Sequence, residues 1–423
     1  MKTMITEVRK HIGETITLHM TLDTLRDQKH LQFLIGSDSS GQLQLVVPKS
    51  KVECHPEISE LLTGSTFSAT GKIVEATQSK TFGLEMQVES IVIHSKALPM
   101  PITSESSIDL RFDYRVVDLK APKQQLMLKV RSAFEQGCRE FLSQLDFTEI
   151  HTPKLMGIAS ESGSQVFKVK YFDKTAYLAQ SPQFYKQMAI ASGAEKVFEI
   201  GPIFRAEESH SSRHLTEFTG LDVEFAWCFE TKEVMELEEA MLKYAFSKLE
   251  RFKEPVKAQY GIELTTEPTV QYMTLKEAKE LLKQKGYELK EEQDLPDEGE
   301  RALYEITGKD LIFVYDYPIA KRPFYHLWDK ESKTTKSFDL IYKGIEITTG
   351  ALREHRLDVL SEQATEKGVG LESIHHYLDS FRYGCAPHGG FGLGIERVIT
   401  KLLGLSSVKE VSFVPRDPDR LTP

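Results

Sequence analysis

Two arginines stand nearly two hundred residues apart, each in company that suits an anion: Arg205 in Phe204-Arg205-Ala206-Glu207, and Arg397 at the end of Gly390-Phe391-Gly392-Leu393-Gly394-Ile395-Glu396-Arg397. Arg213-His214-Leu215 follows the first after a short polar loop. A guanidinium is always charged and offers its hydrogens in a fixed fork, and a glycine beside it lets backbone approach the same anion. Either segment alone reads equally well as a surface arginine near loop glycines. Together they point to a pocket for a bent triphosphate, which must be gripped from several parts of a chain at once.

Acids accompany the arginines. Phe338-Asp339-Leu340-Ile341-Tyr342-Lys343-Gly344-Ile345-Glu346-Ile347 reads as two strands joined by a tight Lys-Gly turn, so Asp339 and Glu346 are expected to face each other across a hairpin. Two carboxylates sharing phosphate oxygens suit Mg²⁺, which binds oxygen and keeps part of its water. Solvent-facing acids on an ordinary hairpin are the alternative. His388 has no second ligand near it in sequence and reads as structural.

Two domains must hold these groups, as expected for 423 residues with 40% hydrophobic content. From Glu14 to about His94 short alternating runs predict five strands, the number that closes a small barrel of OB type. The predicted barrel domain is 1–97 and the linker is 98–121, marked by Leu98-Pro99-Met100-Pro101 and a polar stretch. Residues 122–423 form the larger domain, opening on a helical period from Gln125 to Leu142. Strands are predicted at 176–179, 197–200, 219–226, 311–315, 337–342 and 345–348, and helices at 182–191, 232–251, 275–285, 370–383 and 394–403. Strands without regular βαβ alternation imply an α+β fold with a largely antiparallel sheet flanked by helices. The charged run Glu288–Glu300 reads as a solvated surface insertion.

A net charge of −10 argues against indiscriminate coating of nucleic acid, so an RNA ligand would dock on local basic patches. Cys54, Cys138, Cys228 and Cys385 are scattered, without CxxC pairing, which fits a reducing cytoplasmic setting. No run reaches membrane-spanning length, and the N-terminus lacks a signal-like apolar stretch.

The arginine segments, with Gln180-Ser181-Pro182-Gln183-Phe184-Tyr185-Lys186-Gln187 and Gly350-Ala351-Leu352-Arg353-Glu354-His355-Arg356, resemble the class II aminoacyl-tRNA synthetases, in the aspartyl branch of archaeal and eukaryotic type. The resemblance runs from about Glu14 to the C-terminal Pro423. It implies that Arg205 grips the α-phosphate of ATP and Arg397 the γ-phosphate as the catalytic pair. Glu207, Arg213, His214, Leu215, Phe218, Glu346 and Gly394 would complete the nucleotide site, with Phe218 stacked on adenine and Asp339 and Glu346 holding Mg²⁺. Lys186 and Arg353 would bind the side chain of L-aspartate, helped by Gln183 and Thr349, with Glu161 meeting the ammonium group. A solvent-facing Lys186 on an amphipathic helix is the competing view.

On the barrel, Phe33, Gln44 and Glu89 match positions that stack on and read anticodon bases in the family, although a barrel-core phenylalanine would look the same in sequence. Pro153 matches the proline at the homodimer seam. Departures occur at Thr21, where tryptophan is frequent, at Gln28-Lys29, where two glycines are usual, and at Leu352, where glutamine is usual. The implied activity is an aspartate–tRNA ligase acting on tRNA for aspartate, with tRNA for asparagine left open. An asparagine–tRNA ligase, a paralogue with a non-tRNA acceptor and a non-catalytic RNA-binding protein are the rivals.

Overall fold

The computed structural model describes residues 3–50, 55–76, 83–157 and 166–422, so the expectation for Glu161 lies outside the described residues. The chain divides into two compact units between Val117 and Asp118.

In the first unit, β1 (Thr15–Asp27), β2 (Leu31–Ser37), β3 (Gln42–Pro48), β4 (Thr66–Glu75) and β5 (Leu84–Ser95) close a barrel in the order β1-β2-β3-β5-β4. Strict alternation along β2 and β3 buries Leu34, Leu43, Leu45 and Val47 inside and leaves Phe33 and Gln44 on the outer face. Phe33 is therefore not a core residue. Gln44 lies opposite Glu85 on β5 and donates to its carboxylate at 3.2 Å. Glu89 stands further along β5, beside a bulge, where Thr15 donates to it at 3.2 Å. The stretch read as a linker carries two short helices, Ile108–Asp113 and Arg115–Asp118.

The second unit is built on an eight-stranded sheet. Its strands are β6 (Thr148–Glu149), β7 (Lys196–Phe204), β8 (Glu217–Ala226), β9 (Val270–Thr274), β10 (Leu311–Tyr315), β11 (Ser337–Tyr342), β12 (Ile345–Leu352) and β13 (His388–Gly394). The order is β9-β10-β11-β12-β13-β8-β7-β6, antiparallel except for the parallel edge pairs β9·β10 and β7·β6. One face is covered by α1 (Pro122–Gln144) and α3 (Thr231–Ser247), which bring Met127, Phe134, Leu242 and Phe246 against Phe198, Val223, Phe338 and Phe391. The helices cross so tightly that a Cβ on Gly137 would come within 2.8 Å of the Ala245 Cα. Over the other face lie α2 (Gln183–Ala191) and α4 (Asp297–Thr307), while α5 (Ile395–Leu402) buries Ile395, Val398 and Ile399 in the core shared with α1 and α3 and brings Arg397 to the cavity.

The hairpin turn is as the sequence suggests, with Lys343 at φ 45° and Gly344 at φ 79°. Its register differs. Asp339 pairs with Thr349 and Glu346 with Ile341: the two-residue turn already sets Ile341 opposite Glu346, and a slip of the ladder at Leu340/Ile341 leaves Ile347 as an extra residue on β12 and moves Asp339 from Thr348 to Thr349. Such a bulge re-aims the residues beyond it. Here it puts Glu346, Thr349 and Arg353 on one face and turns Thr348 toward α3, where its hydroxyl donates to Glu238 at 2.6 Å. The charged run 288–300 departs from the solvated reading, since its last residues begin α4 and Glu300 is buried.

Glu238 is fully buried beneath the sheet, and its second oxygen has no hydrogen-bond partner among the described residues. Burial pushes its carboxyl up to about 8, so at neutral pH the folded chain holds a proton that the unfolded chain has released. The stability this group contributes is complete below pH 4.5 and falls as pH rises toward 8, at about 1.4 kcal/mol per pH unit. Glu238→Gln should flatten that slope in urea unfolding followed between pH 5 and 8; an unchanged slope would show that Glu238 does not carry the proton.

Candidate active site

A cavity of about 320 Å³ opens on the α2 face of the sheet. Its walls bring together Arg205, Glu207, Arg213, His214, Leu215, Phe218, Glu346, Gly394 and Arg397 from the expected nucleotide set and Gln183, Thr349 and Arg353 from the expected amino-acid set. Segments distant in sequence meet because β8, β13 and β12 are neighbours in the sheet.

β13 alternates glycine with bulk for a reason visible in the register. Phe391 and Leu393 point into the core beneath, while Gly390 and Gly392 lie opposite Glu224 and Asp222 of β8. A Cβ on Gly390 would collide with the Val223 carbonyl and the Glu224 carboxylate, and one on Gly392 would stand 3.0 Å from an Asp222 oxygen. The two acids lie flat over the strand that has no side chains in their way.

Those acids compensate the two cations. Arg353 Nε donates to Glu224 Oε1 at 2.8 Å, and Nη2 donates to Glu224 Oε2 at 3.2 Å and to the Gly390 carbonyl at 3.0 Å. That arrangement leaves Nη1 for a ligand, and Arg353 lines the cavity. The spacing Gln183, Lys186, Gln187, Ile190 puts one face of α2 against the sheet, so Lys186 is buried and not solvent-facing. Its ammonium donates to Asp222 Oδ1 at 3.0 Å and to the Phe391 carbonyl at 3.0 Å, with Glu224 Oε2 at 3.3 Å. Lys186 is thus engaged below the cavity wall, and Asp222 stands on the wall in its place. Arg353 and Lys186 together hold the Glu224 carboxyl below its ordinary value against the effect of burial. Sequence reading missed both acids, although Asp222 and Glu224 alternate along a strand that faces the glycines.

Gln187 fills out the floor, accepting from Tyr377 Oη at 3.0 Å and lying 3.1 Å from His388 Nε2. Burial pushes His388 down to about 4, so it stays neutral, in keeping with its structural reading.

The other half of the cavity carries exposed cation. Arg205 is exposed, with its guanidinium carbon 5.5 Å from the centre of the Phe218 ring. Arg397 Nη1 donates to the Glu346 carbonyl at 2.8 Å. Arg213 is paired with Asp297 and Glu300 of α4. Burial, followed by the charge of Arg397, keeps His214 below its usual value, so Glu207 at 3.7 Å faces a largely neutral ring at pH 7. Asp339 requires a correction, because both of its oxygens are taken by Arg322, a cavity-lining residue that sequence reading did not single out. Its charge still reaches Glu346: burial first, and then Asp339, pushes the Glu346 carboxyl up to about 7.

Comparison with known proteins bears on this arrangement. Residues 107–418 match the family model described as tRNA synthetases class II (D, K and N). The chain belongs to that family. The synthetase is 39% identical to the aspartate–tRNA(Asp/Asn) ligase of Methanopyrus kandleri over 97% of this chain and 96% of the relative. It is also 39% identical to the aspartate–tRNA(Asp) ligase of Pyrococcus horikoshii over 97% of each. Among solved structures it is similar to the asparaginyl-tRNA synthetase from Pyrococcus horikoshii complexed with asparaginyl-adenylate, with a TM-score of 0.95, 33% identity and full coverage of both chains. The aspartyl-tRNA synthetase from Entamoeba histolytica gives a TM-score of 0.89 at 31% identity, over 100% of this chain and 93% of that one.

The charge balance beneath the synthetase's cavity has a measurable consequence. Lys186→Met leaves Asp222 and Glu224 with one cation between them and should cost about 3–5 kcal/mol in denaturant unfolding. Adding Asp222→Asn restores neutrality around Arg353 and Glu224 and should recover more than half of the loss. Additive losses would mean that the pair is not coupled.

Proposed function

We propose that this synthetase is an aspartate–tRNA ligase: it activates L-aspartate with ATP to aspartyl-adenylate and pyrophosphate, then transfers the aspartyl group to the 3′ end of tRNA. The observation that carries this reading is Arg353, whose guanidinium is held on two nitrogens by Glu224 and keeps the third for the cavity. A guanidinium carries its charge at every pH the protein meets, so its remaining nitrogen attracts a carboxylate more strongly than a neutral amide. Lys186 supports the niche from beneath through Asp222 and Glu224. Asp222, an anion on the wall beside that niche, is placed to receive the substrate's ammonium group.

Activation is in-line attack of the α-carboxylate on the α-phosphorus, with pyrophosphate leaving. The chain contributes position and charge, with no covalent enzyme intermediate. Arg205 would steady the α-phosphate and Arg397 the far end of the triphosphate, while adenine lies on Phe218 between Glu207 and the Arg213-His214-Leu215 wall. The site fits Mg²⁺ through one carboxylate, Glu346, whose raised carboxyl beside Asp339 gains by neighbouring positive charge; such an ion would neutralise charge on the phosphates it shares. Asp339, committed to Arg322, would act on it through charge and not as a ligand.

In the same reading Phe33 and Gln44, neighbours on the outer face of the barrel, contact the anticodon, and the region of Pro153 forms the seam of a homodimer. The exposed Leu155 beside Pro153 supports that seam. A cytoplasmic setting accords with free Cys138, Cys228 and Cys385 and with the finding that no described helix is long and apolar enough to cross a membrane.

ATP–pyrophosphate exchange by the purified protein should depend on aspartate and stay near background with asparagine, and tRNA for aspartate should be charged. Assaying tRNA for asparagine alongside it would decide between strict and relaxed acceptor choice, since relatives of both descriptions are 39% identical to this chain. Exchange driven by asparagine alone would overturn the proposal.

A further inference from the structure

Arg213, expected at the nucleotide, is tied to an element that carries no expected site residue. α4 begins after Pro296, and two acids of its first turn, Asp297 and Glu300, reach Arg213, which lines the cavity. Arg213 Nη2 is in contact with Glu300 Oε2, and Nη1 with Asp297 Oδ1. The two acids differ in kind. The Asp297 side chain is 55% exposed, whereas that of Glu300 is 8% exposed, and that of Arg213 itself 13%. An exposed partner contributes little to holding a guanidinium, because water competes for both ends of the pair; a buried one fixes it.

Glu300 does more than pair. The same Oε2 accepts the backbone N–H of Glu346 at 2.7 Å. The Glu346 carbonyl, one residue's backbone away, accepts from Arg397 Nη1 at 2.8 Å. One carboxylate oxygen therefore joins Arg213 of the β7–β8 loop to the backbone of the bulged strand β12, and through that backbone to Arg397 of α5, three segments far apart in sequence. The helix that supplies it is itself anchored, with Ala302 and Leu303 packed among Leu282, Ile312 and Ile341.

We infer that Glu300 is a positioning residue of the activation step, the hub that holds Arg213 and the backbone of Glu346 in register with Arg397 so that the nucleotide meets a preformed set of cations. The inference rests on the nucleotide reading of this cavity and is independent of which amino acid is activated. Without the carboxylate, Arg213 keeps only its solvent-facing partner Asp297 and the Glu346 amide loses its acceptor. The nucleotide must then order both groups itself, which weakens binding of ATP and not of the amino acid.

The test uses the full chain. Glu300→Ala should raise the KM for ATP about tenfold in exchange assays and leave the KM for the amino acid within about twofold. Glu300→Gln, which keeps an acceptor for the Glu346 amide but loses the charge, should fall between Glu300→Ala and the parent. Glu298→Gln, at an exposed neighbour paired among the described residues with Arg301, should match the parent. Equilibrium binding of ATP with no amino acid present should show the same order, and this arm stands whatever amino acid the enzyme activates. In Arg213→Ala the effect of removing Glu300 should shrink to less than about threefold, since the residue it holds is gone. Should Glu300→Ala not fold, Glu300→Gln with and without Arg213→Ala decides. Equal rises in both KM values, fold-changes that multiply in the double variant, or ATP binding unchanged in Glu300→Gln would each overturn the inference.

Discussion

Four charged side chains buried together over a strand of glycines set the terms for the rest of the catalytic unit. Lys186 and Arg353 could not be taken from water without Asp222 and Glu224, because desolvation of each ion costs several kcal/mol that only close, hydrogen-bonded partners return. Partners that close need room above β13, and Gly390 and Gly392 supply it. The glycines in turn need bulk between them to hold the strand in the sheet, which Phe391 and Leu393 provide from the core side. The alternation of that strand is thus a single solution to two demands, a core below and a charge cluster above.

The two halves of the cavity differ in how their charge is held. In the half proposed for the amino acid Lys186 and Arg353 each have a buried acid, so what remains for a ligand is directional: one nitrogen of Arg353 and the carboxylate of Asp222. In the half proposed for the nucleotide Arg213 too has a buried acid, Glu300, but the guanidinium of Arg205 is exposed beside Phe218, and Arg397 is held by a backbone carbonyl. Fixed geometry discriminates among small substrates, and exposed positive charge attracts a polyanion. A raised Glu346 carboxyl between these halves is the expected consequence of partial burial together with the charge of Asp339.

Much of this was legible in the sequence. Alternation gave the five barrel strands, and the run 337–342 was read with the bounds the structure has. The helix spacing in 182–191 was sound, and the arginine segments and the Lys-Gly turn do meet in one cavity or hairpin. What sequence could not reveal follows from interactions without local periodicity. The helix at 394–403 is there as expected, but β13 before it is missing from the predicted strands, because Gly-x-Gly carries no apolar alternation that marks a strand until its partners β8 and β12 are known. Asp339 and Glu346 do not face each other because the two-residue turn pairs Glu346 with Ile341, and the bulge at Ile347, inside a run that reads as a regular strand, carries Asp339 on to Thr349. Glu300 was placed with a solvated charge run, since its burial depends on Arg213 and a backbone amide from elsewhere. Asp222 and Glu224 escaped notice because acids within a strand signal function only when their cations are known.

The central claim is that the clamped guanidinium of Arg353 receives the substrate's side-chain carboxylate while Glu224 keeps hold of its other edge. A crystal structure with a non-hydrolysable aspartyl-adenylate analogue tests it most directly. The account predicts the analogue's side-chain carboxylate within hydrogen-bonding distance of Arg353 Nη1, with the Nε and Nη2 contacts to Glu224 retained and the ammonium beside Asp222. An analogue whose side-chain carboxylate lies away from Arg353, with that guanidinium still turned wholly to Glu224, would contradict it.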